Sequence, residues 1–286
     1  MIRESFARWQ IPAEVEGIVL LGTSGGQHGR SGAAERHHHA ELELHFVTHG
    51  RGVFLLGERR VEAEPGTLLW VAPYRDHTVL DPSADFRRWM LLARPRLVRR
   101  VLPPADARLL LAQRAAREDA PLWRTLPPHQ ARALAAKFAE TRSGEREHFA
   151  VYNATIGYVL ARAFKAFSAT DMLPSWSVLH PAVAEAVRVL RDDAGNVGRA
   201  ELARRCGASE WHLSKLFHAQ VGVSLVEFRN RCRLDRFLEL YGDGSRVKMT
   251  TAALDAGFGS YPQFHRVFRA RMGYAPAEHA RRLRAG

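Results

Sequence analysis

The 286-residue chain is short of cysteine, of long apolar runs and, relative to its bases, of acids. Each shortage excludes something. Two cysteines, Cys206 and Cys232, cannot build a disulfide framework. Neither lies in a CxxC pair or a His/Cys cluster that would hold structural zinc. Both read as small buried hydrophobes. No apolar stretch reaches the ~18–20 residues that span a bilayer. The first residues, Met1 to Phe6, carry an acid and precede no apolar run of signal-peptide type. A cytoplasmic protein with no membrane partner is therefore expected.

The acid deficit has a location. Lys and Arg number 42 against 30 Asp and Glu, a net charge of +12. From Val178 onward 18 bases face 11 acids, so +7 falls in the last third of the chain. A basic balance concentrated in one region suits a phosphate-rich partner.

Hydrophobic residues make up 46% of the chain, enough for a real core, and they change period along it. As far as Leu92 short apolar runs alternate with turn signals: Ile18–Leu21, Leu42–Thr48, Gly52–Leu56, Thr67–Val71 and Arg87–Leu92. That spacing predicts a β-sandwich or small barrel. Pro103-Pro104 closes the region, and helical spacing follows over Ala105–Arg117, His129–Thr141 and His148–Ser168. Those helices form either a dimer interface or a cover for the sheet. The expected division is 1–102 β-rich, 103–170 helical (dimerisation or cover), 171–177 linker, and 178–286 all-α.

The last of these contains a repeat. Gly207-Ala208-Ser209 is followed by Leu213, Phe217 and Gly222; Phe258-Gly259-Ser260 is followed by Phe264, Phe268 and Gly273. Counted from the serine, apolar residues recur at +4 and +8 and glycine at +13. Serine caps a helix, +4 and +8 share one face, and glycine ends the helix in a left-handed conformation. A short helix is expected before each serine, over Arg199–Arg205 and Thr250–Asp255. Helix, glycine turn and capped helix make a helix-turn-helix, here twice. Leu225–Tyr241 reads as a connecting helix of 17 residues, about 26 Å long.

The segment resembles the DNA-binding domain of the AraC/XylS family of transcription regulators. The second unit carries the more diagnostic string, Gly257-Phe258-x-Ser260-x3-Phe264-x-Arg266-x-Phe268-Arg269-x3-Gly273-x2-Pro276. One departure is Ala252-Ala253, where the family usually has Ile-Ala. The resemblance implies that Trp211, Ser214 and Lys215 on the first recognition helix face DNA, with Tyr261, Gln263, His265 and Arg266 on the second. The same residues remain once the buried face is removed. Lys215 and Arg266 suit guanine and Gln263 suits adenine, while Arg205, Lys248 and Arg269 are placed for phosphate.

In the β-rich region His37-x-His39-x3-Glu43-x6-Gly50 resembles the first cupin motif. Gly66-x6-Pro73-x3-His77 resembles the second, with Arg75 where a glycine is usual. The cupin is a small double-sheet barrel, and AraC-type regulators often carry one as an effector sensor. His37, His39 and Glu43 share strand parity, and His77 could join them. The four suit a metal-free pocket for an organic effector, a divalent transition metal, or no ligand at all, with the histidine run as a solvated loop. Phe46, Phe54, Trp70 and Tyr74 are candidates for its walls or, equally, for core packing. The expected protein is a sequence-specific regulator of transcription. Its partners would be double-stranded DNA, a small-molecule effector, a second copy of itself and, for an activator, RNA polymerase. The alternative is a metal-dependent cupin enzyme with an appended DNA-binding domain.

Overall fold

A computed structural model describes residues 11, 14–23, 40–75, 77–80, 82–112, 122–143, 148–193, 197–242 and 247–285. Its first half is two facing sheets. One has the order β1-β7-β2-β5-β8 and the other β6-β3-β4-β9. The strands are β1 (Gly17–Thr23), β2 (Leu42–His49), β3 (Gly52–Leu56), β4 (Arg59–Ala63), β5 (Thr67–Val71), β6 (His77–Leu80), β7 (Arg87–Ala93), β8 (Trp123–Thr125) and β9 (Trp176–Val178). The helices of this half are α1 (Pro95–Val101), α2 (Pro104–Leu111), α3 (Pro128–Ser143) and α4 (Phe149–Ser168).

The strand β2 explains the layering. Its six residues from Leu42 to Val47 are all buried, so both faces of the larger sheet are covered. Leu42, Leu44 and Phe46 point one way, into a core with Leu97, Phe138, Ile156, Leu160 and Phe164 of the helices. Glu43, His45 and Val47 have the opposite parity. Val47 joins Phe54, Leu56, Val61, Leu69, Val71 and Val79 between the two sheets. The helices thus cover the larger sheet. The segment 103–170 also contributes β8, which pairs with β5 and was not expected in a helical stretch. Of the expected helix Ala105–Arg117, residues up to Leu111 form α2, and 113–117 lie outside the described residues.

The expected linker is held rather than free. The Glu62 amide donates to the Ser175 carbonyl, and Trp176–Val178 pairs with β4 as β9. Arg59 lies over the rings of both Trp123 and Trp176, at 5.7 and 5.5 Å.

The second half consists of α5 (Pro181–Asp192), α6 (Arg199–Arg205), α7 (Glu210–Val221), α8 (Leu225–Tyr241), α9 (Met249–Asp255), α10 (Tyr261–Met272) and α11 (Pro276–Ala285). Two cores divide it. One gathers Val183, Val187, Leu202, Leu213, Phe217 and Phe228. The other gathers Phe237, Ala252, Ala253, Phe258, Phe264 and Phe268. The helix α8 supplies residues to both, so it spaces the two units. Ala252 and Ala253, the departure from the family pattern, are completely buried. No helix among the described residues is long and apolar enough to cross a membrane.

Candidate functional site

The two helix-turn-helix units are built by the same local physics. Ser209 Oγ accepts from the His212 amide at 3.2 Å, and Ser260 Oγ from the Gln263 amide at 3.3 Å. Gly222 and Gly273 end α7 and α10 at φ of 81° and 78°, where a side chain would be strained. Leu213, Phe217, Phe264 and Phe268 are buried, which leaves the opposite faces of α7 and α10 to solvent.

On those faces the expected readers are not equivalent. Trp211 is 70% exposed, and the Lys215 ammonium sits 5.1 Å from its ring centroid. Ser214 is half-buried beside them, in a groove with Leu225, Val226 and Arg229. On α10, Arg266 and Arg269 are exposed and His265 is half-buried against the Tyr261 ring. Tyr261 is tied down: its hydroxyl lies 3.7 Å from Met249 Sδ and its ring packs on Phe264. Gln263 turns its carbonyl oxygen back to accept from the Gly259 amide at 3.0 Å. One lone pair of that oxygen is thereby taken and its orientation fixed, so the two-bond adenine reading must use the second lone pair together with the NH2 group. Arg205 is bound to Glu201 and Asp193, which makes it a poorer phosphate ligand than its position suggested.

The barrel interior holds a second group of polar side chains. Glu43 and His45 point inward from β2, His77 opens β6, and Arg88 comes from β7 opposite Val47. All are deeply buried, at 5, 1, 9 and 8% exposure. Glu43 Oε1 lies 3.1 Å from His45 Nε2, and Glu43 Oε2 lies 2.9 Å from His77 Nε2. The Nδ1–H of His77 donates to the Arg75 carbonyl at 3.1 Å. That carbonyl is placed by a β-turn closed by the Arg75 amide on the Ala72 carbonyl. Tyr74 occupies the left-handed position of this turn at φ 59°. The Arg88 guanidinium rests on Phe54 and Phe86 at 5.7 and 5.8 Å. Its Nε is buried without a hydrogen-bond acceptor among the described residues. Burial draws its pKa down to about 10, against the opposing attraction of Glu43.

The structure therefore joins Glu43 to His77, as the motifs implied. His37 and His39 lie outside the described residues. Sequence reading missed His45 and Arg88. His45 shares parity with Glu43 two residues away, which was a usable signal. Arg88 had none, since only pairing places it opposite Val47. Three of the four candidate wall residues do not line the barrel interior. Phe46 and Trp70 pack outward under the helices, because their strand parity opposes that of Glu43 and Leu69, and Tyr74 is 52% exposed. Phe54 does face the interior, with its ring centroid 4.9 Å from that of His45.

A family model described as an AraC-like ligand binding domain matches residues 22–136, and one described as a helix-turn-helix domain matches 202–282. Among solved structures the chain is similar to ToxT from Vibrio cholerae O395, at 13% identity and TM-score 0.37, covering 94% of this chain and 97% of that one. It is also similar to the AraC-like transcriptional activator CuxR, at 15% identity and TM-score 0.35, covering 85% and 79%. The C-terminal domain of AraT from Geobacillus stearothermophilus matches at 20% identity and TM-score 0.34, over 37% of this chain and 88% of that domain. No curated protein sequence matches the chain.

Proposed function

The chain belongs to the AraC family of transcription regulators, with a ligand-binding barrel followed by a DNA-binding helix-turn-helix domain, and we propose that it responds to a small anionic effector held inside the barrel. The observation that carries this reading is Arg88. Arg88 is 92% buried and its Nε has no hydrogen-bond acceptor among the described residues, which costs free energy unless a ligand supplies one. A carboxylate or phosphate fits its planar donor fork.

The same fold offers a route from the effector to DNA. The smaller sheet has two working faces. Phe54, Val79 and His77 turn to the interior, whereas Leu55 and Leu80 turn outward into the core that contains Val183 and Leu190 of α5. A ligand that shifts β3 or β6 therefore presses on the DNA-binding domain through one layer of side chains. The effector acts by altering how the two units meet their operator half-sites, or how they meet RNA polymerase. A second copy of the chain would double the number of half-sites read.

Arg88→Met keeps the bulk of the side chain and removes its donors. The variant is expected to bind the operator like the wild-type chain in gel-shift assays but to lose most of the effector-dependent change in a reporter. A reporter response equal to wild type across growth conditions would remove Arg88 from effector binding. Genomic footprinting of the bound chain supplies the operator for both assays.

A further inference from the structure

The three residues Glu43, His45 and His77 do more than line a pocket. Their candidate donor atoms all lie within 4.8 Å of one another. Two donors about 2.1 Å from one ion, and about 90–110° apart, lie about 3.0–3.4 Å from each other. The observed separations from the Glu43 oxygens are 3.1 Å to His45 and 2.9 Å to His77. Two of the three separations, one from each Glu43 oxygen, are thus close to those of donors that share an ion.

The tautomer of His77 adds a second argument. A carbonyl can only accept, so the Arg75 carbonyl fixes the hydrogen on Nδ1. The Nε2 nitrogen then faces a Glu43 carboxylate oxygen at 2.9 Å, a separation bridged by a positive centre, either a proton or a metal ion. An imidazole held by its far nitrogen on a backbone carbonyl is the usual arrangement of a metal-ligating histidine.

From these contacts we infer that Glu43, His45 and His77 bind one divalent transition-metal ion inside the barrel. Two imidazoles and one carboxylate suit Fe, Co, Ni, Zn or Mn. The set differs from the one the cupin motifs suggested, because His45 enters from within β2. Beyond these three described donors, an oxygen of the effector can complete the shell. This last clause rests on the effector reading above; the metal site itself does not. The buried Arg88 supports an anionic completing ligand, since Glu43 alone leaves the ion and the guanidinium with excess positive charge.

The test uses the full-length chain without a histidine tag, stripped with chelator and titrated with Co2+ and with Zn2+. One ion per chain by elemental analysis is expected, with a visible ligand-field band for cobalt. Glu43→Gln, His45→Phe and His45→Gln should each weaken binding at least about tenfold and remove the band. His218→Ala, at an exposed position, should leave both unchanged. Circular dichroism and retained DNA binding identify which variants fold, and the two His45 replacements guard against one that does not. Stoichiometric cobalt with an unchanged band in folded Glu43→Gln and His45 variants overturns the site, and so does a wild-type chain that binds no metal. Arg88→Met separates the two readings. If Arg88→Met keeps both the metal and a wild-type reporter response, the site stands and the effector reading falls; if the wild-type chain holds no metal while Arg88→Met loses the response, the reverse holds.

Discussion

Single side chains decide which positions can read DNA. Lys215 and Arg266 are exposed cations on the outward faces of α7 and α10, and neither is drawn into an ion pair with another described residue. Each can donate to guanine in the major groove. Their alanine variants are expected to lose about 1–3 kcal/mol on the specific site and to relax base preference there. Arg269 lies one turn further along α10, at its basic C-terminal end. Its replacement should weaken all sequences alike and lower the salt slope by about one. Competition binding against randomised sites at several salt concentrations separates the two behaviours. Equal loss on every sequence for Lys215→Ala and Arg266→Ala would place the reading face elsewhere. Tyr261 and Gln263 were both expected to face DNA from the same helix, yet contacts with Met249 and Gly259 restrict both. Spacing reports the direction in which a side chain leaves the helix. It does not report whether a neighbour already holds the polar end.

At the scale of elements, the doubled unit is the most legible part of the chain because its signals are local. Serine cap, apolar +4 and +8, and left-handed glycine all act within about four turns of helix. The observed α6 and α8 span Arg199–Arg205 and Leu225–Tyr241, the ranges the pattern implied. Ser209→Ala and Ser260→Ala are expected to cost about 0.5–2 kcal/mol each, since each leaves a first-turn amide unpaired. Ser→Gly at the same positions should cost only a few tenths. Urea unfolding of the four variants measures the difference, and equal losses for Ala and Gly would mean that the serine hydroxyls do not cap. The strands were less legible where the signal was weak. Arg59–Ala63 contains two arginines and a glutamate, and His77–Leu80 is only four residues long. Both become strands by pairing with β3, a contact no local pattern announces.

For the whole molecule, the question is how far the DNA-binding half stands alone. Its second core is self-contained, whereas its first extends to Leu55 and Leu80 of the barrel. Most of that first core still comes from α5, α6, α7 and α8. A fragment of residues 178–286 is therefore expected to fold and bind DNA, with affinity that falls steeply as salt rises. Fluorescence anisotropy against salt, together with helical circular dichroism, tests this. An unfolded fragment, or one whose binding ignores salt, would show that the barrel face is needed to complete the first unit.

The sequence by itself determined the two classes of structure, the repeated helix-turn-helix and the residues facing outward from it. Those follow from period, caps and glycines, which act over a few residues. It also marked Glu43 and His77 as chemistry-bearing. Only the tertiary structure decided their company. His45 became a partner because β2 is buried on both faces and parity turns it inward. Arg88 arrived across the sheet by pairing, and Phe46 and Trp70 were turned away to the helices. Tertiary pairing likewise made a strand of Trp176–Val178 and set one sheet between the Glu43–His45–His77 cluster and α5. Such long-range contacts depend on which strands lie side by side, and that is fixed by the burial of the whole chain.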